Sequence, residues 1–122
     1  MLRRNDGCPV DYRMCRQTVT VYHREDDRFT RRVHDRAWMD FRKTQTVDKT
    51  GSREVNTFLL VIPCTEQAVF VGDKVMLGIG PEVVSWEDWE GLIPSNYPGL
   101  VTVRSADPKY WGTQMVHVEA GG

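Results

Sequence analysis

Apolar positions in this chain come in short runs with a two-residue period, separated by turn residues. Thr18 to His23 places Val19 and Val21 on one side and Thr18, Thr20 and Tyr22 on the other, the alternation of a half-buried strand. After a charged turn, Arg24 to Arg28, Phe29 to His34 leads into a strand over Arg36 to Lys43. In the latter, Ala37, Met39 and Phe41 oppose Trp38, Asp40 and Arg42. Phe58 to Ile62 is wholly apolar, ends at Pro63, and is too short for an ordinary helix. Val69 to Val71 and Lys74 to Leu77 read as two further strands around the Gly72-Asp73 turn. Val83-Val84, Leu100 to Arg104 and Met115 to Glu119 complete the strand pattern, with Ala106 to Gly112 read as a turn.

The pattern predicts a mainly β fold, a small six- or seven-stranded barrel or sandwich with a long flap loop and one short helix. The expected core is Val19, Val21, Phe58, Leu60, Ile62, Phe70, Val75, Leu77, Val101, Val103 and Val116. The helix is expected from Trp86 to Gly91, with Ser85 as N-cap and Asp88 at the third helical position, stopped by Pro94. Residues 1–17 are polar, broken by Gly7 and Pro9, and read as an extended N-terminal arm; residues 18–122 form one domain. Residues 44–56 are a polar connection much longer than an ordinary hairpin loop, and a connection that long is expected to be functional or disordered.

Composition changes this picture little. At 40% hydrophobic and 27% charged, the chain reads as a soluble globular domain. No apolar run approaches the roughly twenty residues of a membrane span, and the N-terminus has no apolar stretch of a secretory signal. Cytoplasmic synthesis and no membrane partner are expected. Charge is more informative. Residues 1–61 carry 13 Lys/Arg against 9 Asp/Glu (+4), and residues 62–122 carry 3 against 8 (−5). This reads either as two differently solvated faces or as a dipolar subunit suited to head-to-tail packing.

Catalytic and metal chemistry find little footing. Cys8, Cys15 and Cys64 lack zinc-ligand spacing, and His23, His34 and His117 are scattered among strands. No nucleophile elbow or His-Glu-x-x-His occurs, and Lys-Thr-Gly-Ser at 49–52 lacks the preceding glycine of a phosphate loop. Catalytic residues, cofactor and metal are therefore all expected to be none. Asp40, Asp73 and Asp107 are the carboxylates able to meet in space, each also suited to a turn or an outer strand face. A single-stranded nucleic-acid module is the rival reading: small barrels bind with aromatics and a basic groove, and Arg31, Arg32, Arg36, Arg42, Lys43 and Trp38 supply both. The slightly negative net charge weighs against it.

The order Thr-Val-Thr-Val-Tyr, then Val-Asp-Lys-Thr-Gly-Ser, Phe-Leu-Leu-Val-Ile-Pro, Val-Phe-Val-Gly-Asp-Lys-Val-Met-Leu-Gly and Asp-Pro-Lys-Tyr-Trp…Met-Val-His-Val-Glu resembles small head–tail joining proteins of tailed phages and prophages of Gram-positive hosts. These are head closure (stopper) and minor capsid proteins. The resemblance implies a virion protein of the neck. It would form a homo-oligomeric ring of six or twelve copies, with the adaptor and portal above and tail terminator or tail proteins below. The ring would retain packaged DNA in its lumen without sequence specificity and dock the tail; a tail terminator or other neck ring is the alternative within that gene block. It implies a channel or docking flap at Asp48, Lys49, Thr50, Gly51, Ser52, Arg53 and Glu54. Subunit contacts are expected at Trp38, Arg36, Arg42, Trp86 and Trp89.

Overall fold

A computed structural model describes residues 11–48 and 51–122. The elements are β1 (Gln17–Glu25), β2 (Arg28–Asp48), β3 (Gly51–Pro63), β4 (Lys74–Leu77), α1 (Trp86–Glu90), β5 (Val101–Thr102), β6 (Ser105–Trp111) and β7 (Gln114–Gly121). The fold is mainly β, an antiparallel seven-stranded sheet curled into a half-barrel with one short helix, in the order β5-β4-β1-β2-β3-β7-β6. Among the described residues no helix is long and apolar enough to cross a membrane.

One strand organises the sheet. β2 pairs with β1 from Arg28 to Ala37 and with β3 from Trp38 to Asp48. Where it changes partner, the register steps from Gln17↔Ala37 to Val19↔His34, so β2 holds one residue more than β1 across that interval. Such a bulge bends a strand and increases its twist, which is what a curled sheet needs. The edge strands β5 and β6 are consecutive in the chain and separated only by Val103 and Arg104. Val103 N–H donates to the Asp73 carbonyl and Arg104 N–H to the Gly121 carbonyl, both at 2.8 Å. Two residues thus carry the chain from one end of the sheet to the other, and the sheet must curl until its ends meet.

The concave face holds the main core. Val19, Val21, Ala37, Met39, Phe58, Leu60, Ile62, Val75, Val103, Val118 and Ala120 meet there with Val69. Seven of these are expected core residues. Val101 packs against the cluster and Val116 is buried. Phe70 and Leu77 are corrections, at 42% and 39% exposed. Val69 to Val71 is not a strand: Asp73 N–H bonds the Phe70 carbonyl, and Gly72 takes a φ of 95°, so the chain turns and carries Phe70 and Val71 outward. Leu77 lies opposite Val19 at the end of β4, where Gly78 turns the chain away with a φ of 81°.

A second, smaller core lies on the convex side. Tyr22 alternates with Val21, yet it is fully buried, because the excursion 78–100 folds over it. Tyr22, Val83, Leu92 and Leu100 form this cluster, flanked by Phe29, Met76, Trp89 and Tyr97. The Tyr22 hydroxyl donates to the Pro81 carbonyl at 2.7 Å, and Arg31 clasps the Gly80 carbonyl with Nε and Nη2. A Cβ on Gly80 would come within 2.2 Å of that hydroxyl, so only glycine lets the excursion lie this close. Val83-Val84, expected as a strand, is irregular chain that supplies Val83 to this core.

Two further segments differ from expectation. Ala106 to Gly112 is not a turn but most of β6, with the turn displaced to Gly112, whose φ is 66°. Leu100 to Arg104 shortens to the two residues of β5, because Val103 and Arg104 make the crossing between sheet ends. The helix forms as expected: Asp88 N–H donates to Ser85 Oγ at 3.2 Å. Asp88 Oδ2 in return accepts from Val84 N–H, one residue before the N-cap. Cys15, at the end of the segment read as an arm, is buried, and Tyr12 lies edge-on to His117; that stretch packs on its own domain. Cys8 lies outside the described residues.

Candidate functional site

Three places in the fold carry exposed or convergent chemistry. The first is the hairpin of β2 and β3. The sequence reads 44–56 as a loop, but the two strands pair continuously from Trp38↔Val61 to Asp48↔Gly51. The β-branched residues Thr44, Thr46, Val47 and Val55 suit a strand, and the polar and charged residues among them hid it. β1 stops pairing with β2 at Ala37, and β7 reaches β3 only as far as Leu59, with Phe58 N–H bonding the Gly122 carbonyl. From Arg42↔Thr57 outward, seven residue pairs therefore have no further strand beside them among the described residues. At 3.3 Å per residue the ribbon extends roughly 20 Å beyond its neighbours. Asp48, Gly51, Ser52, Arg53 and Glu54 lie on its outer half. Lys49 and Thr50 lie outside the described residues.

The second place is the corner where the β1–β2 turn meets α1. Trp86 Nε1 donates to Asp27 Oδ1 at 3.0 Å, and its ring stands edge-on to Phe29 at 5.5 Å. The Arg24 guanidinium sits 4.6 Å over the Trp86 ring. Lys74 Nζ donates to the Trp89 and Leu92 carbonyls at 3.0 and 2.9 Å and lies 4.8 Å over the Trp89 ring. Partial burial lowers the Lys74 pKa. These contacts tie the excursion to the barrel by cation–π and carbonyl bonds. Of the expected interface residues, Trp86 and Trp89 share this corner, Trp86 45% exposed and Trp89 half-buried. Trp38 and Arg36 do not join them. Trp38 is ten residues along β2 from Arg28, opposite Val61 on the convex face and half-buried, and Arg36 is exposed at the bulge. Arg42 is the first residue of the free ribbon.

The third place is the mouth of the half-barrel. Along β1 the concave face runs Val19, Val21, His23, Glu25, so the core gives way to ionisable groups at one end. His23 Nδ1 meets Oδ1 of buried Asp73 at 2.5 Å, and Asp73 Oδ2 accepts from Phe70 N–H at 2.9 Å. Asp73 is 1% exposed, and that burial raises its pKa, with the His23 and Phe70 hydrogen bonds opposing the shift. A cavity of about 320 Å³ opens beside the pair, reached by Glu25, Arg32, Glu66 and the Phe70 ring. Sequence reasoning named Asp73 and His23 separately; their fifty-residue separation gave no sign that β4 beside β1 joins them. Asp40 and Asp107 take no part in this pair.

The remaining histidines are structural in their contacts. His117 Nδ1 meets the Tyr12 hydroxyl at 2.5 Å and Nε2 lies 3.3 Å from Glu119. His34 faces the core opposite Val19 with Nε2 buried and unbonded, and burial lowers its pKa. Among the described residues no group of three or more His, Cys, Asp or Glu is placed to hold a metal ion.

A family model matches residues 14–122, nearly the whole chain. The chain belongs to DUF6751, a family of unknown function. The match begins at Met14, one residue before buried Cys15, so DUF6751 includes the last turn of chain before β1. No curated protein and no solved structure matches the sequence.

Proposed function

We propose that this DUF6751 protein is a structural ring subunit of a tailed-phage connector, a head closure or stopper protein whose β2–β3 ribbon engages the DNA channel or the next ring. The observation that carries the reading is the ribbon. A lone two-stranded ribbon is marginally stable in water, and a compact half-barrel gains nothing for its own core by extending one. A neighbouring subunit or ring gives the free edges a partner. The ribbon's sequence mixes Arg42, Lys43 and Arg53 with Asp48 and Glu54, a composition that tolerates DNA phosphates close by without holding them tightly. The resemblance of strand order to head–tail joining proteins supports the same reading, and so does the +4/−5 division of charge between the two halves of the chain.

Electron microscopy of assembled particles tests it. A ring of six or twelve copies below the portal, with the ribbons directed inward or onto the adjacent ring, is the expected result. Copies scattered singly over the particle would refute it. A tail terminator or other neck ring is the neighbouring reading, separated by the position of the ring along the connector axis. The single-stranded nucleic-acid reading predicts salt-sensitive oligonucleotide binding by the free chain, with stacking on Trp38.

A further inference from the structure

The mouth of the half-barrel has chemistry that ring assembly does not use. We propose that it is a binding site for a primary ammonium group, supplied by a lysine side chain or by a free polyamine. The geometry of His23 sets the argument. A carboxylate only accepts hydrogen bonds, so ionised Asp73 takes the Nδ1–H of His23 on Oδ1, and a neutral imidazole held this way carries its lone pair on Nε2. That nitrogen faces Glu25, whose Oε1 stands 3.7 Å away, too far for a hydrogen bond between them. Two acceptors at this spacing are satisfied together by one N–H donor group placed between them.

The other groups at the mouth agree. Gln67 spends its amide nitrogen on the Val69 carbonyl at 3.0 Å, which leaves its amide oxygen as the acceptor. The Phe70 ring, turned outward and 5.0 Å from the His23 ring, offers a π face for a cation. Charge follows the same sign: Glu25 and Glu66 line the cavity against one guanidinium, Arg32, with Asp73 behind His23. A cavity of about 320 Å³ at the end of a barrel, with convergent polar groups and an aromatic wall, is where small ligands of such folds sit. A primary ammonium has three donors for Nε2, Glu25 and Gln67, while its alkyl stem lies along Phe70. An anion would meet two exposed carboxylates, and a quaternary amine has no N–H to give.

The test is an NMR titration of the whole chain with n-butylammonium, tetramethylammonium and acetate at constant ionic strength. Butylammonium is expected to shift the amides of His23, Glu25, Gln67 and Phe70, with tetramethylammonium and acetate without effect there. Glu25→Gln removes a carboxylate whose side chain is 76% exposed, so the fold is kept, and affinity should fall by about tenfold or more, the loss of one charge-assisted bond. Phe70→Leu should weaken binding severalfold. Acetate shifting the same amides, unchanged affinity in Glu25→Gln, or no response to millimolar butylammonium would overturn the site. Parallel titrations with Nα-acetyl-lysine methylamide and with spermidine assign the source, the tighter of the two identifying a protein lysine or a polyamine. The outcome is independent of whether the chain forms rings.

Discussion

The two halves of β2 belong to one strand but live in different environments. From Arg28 to Phe41 the strand pairs first with β1 and then with β3, gives Ala37 and Met39 to the main core and packs Phe29 against the core that buries Tyr22. Beyond Arg42 it pairs with β3, and among the described residues no second strand lies beside it. Both halves make full antiparallel ladders, so hydrogen bonding does not distinguish them. Burial does. A ladder exchanges water bonds for chain bonds at small net gain, whereas apolar area removed from water is what stabilises the first half. Stability should therefore concentrate in the barrel, and any role in assembly in the ribbon.

The largest expected effect breaks the barrel half. Leu60 is fully buried opposite Met39, at the point where β2 has just changed partner. Leu60→Ala should cost about 2–5 kcal/mol in urea unfolding, enough to unfold many small domains at rest. A cost below about 1 kcal/mol would mean that the two halves are not energetically distinct.

The cover on the convex face should matter less. Ser85→Ala removes the acceptor for Asp88 N–H and should cost about 1 kcal/mol, read from the denaturant midpoint at unchanged slope. A fall in slope along with the midpoint would show the excursion opening separately from the barrel.

His34 sharpens the comparison through pH. Burial lowers its pKa in the folded chain, so the unfolded chain takes up the proton first as pH falls. Its contribution to stability is therefore present above about pH 6.5 and is lost as pH falls through the lowered folded value. Wild type should lose more stability than His34→Gln between pH 7.5 and pH 5. Asp73 works in the opposite sense. Its pKa is raised by burial, so its contribution is present below the ordinary carboxylate value and lost as pH rises through the folded one. The comparison with His34→Gln isolates the histidine because Asp73 is common to both chains.

The smallest effect on stability is expected where the assembly effect should be total. Replacing 45–54 with a two-residue Asn-Gly turn joins Thr44 to Val55 in register and leaves every core residue among the described ones in place. The unfolding free energy should change by no more than about 0.5 kcal/mol. On the proposed connector role, particles carrying this variant should package DNA yet leak it or fail to join tails. Fully infectious particles would remove the ribbon from the proposed function.

Much of the barrel was legible because its strands obey a local rule. Val19 and Val21, Leu60 and Ile62, and Val101 and Val103 repeat every second residue, and a two-residue period fixes which face is buried wherever the opposite face is polar. The helix was legible for a similar reason: Ser85 and Asp88 make their cap within a single turn. Phe70 and Leu77 went astray because Gly72 and Gly78, within two residues after each, turn the chain out of the period, and hydrophobicity does not register that turn. The ribbon was missed because its residues are mostly polar and show no apolar alternation.

What the sequence by itself determined was therefore local: strand phase, the helix and its cap, and most of the first core. What only the tertiary structure decided was contact between distant segments. Tyr22 is buried by residues some sixty positions later, Asp73 meets His23 because β4 lies beside β1, and Val103-Arg104 joins the ends of the sheet. No periodicity encodes such meetings. They follow from closing a curled sheet, in which each strand's partner is chosen by the packing of all the others.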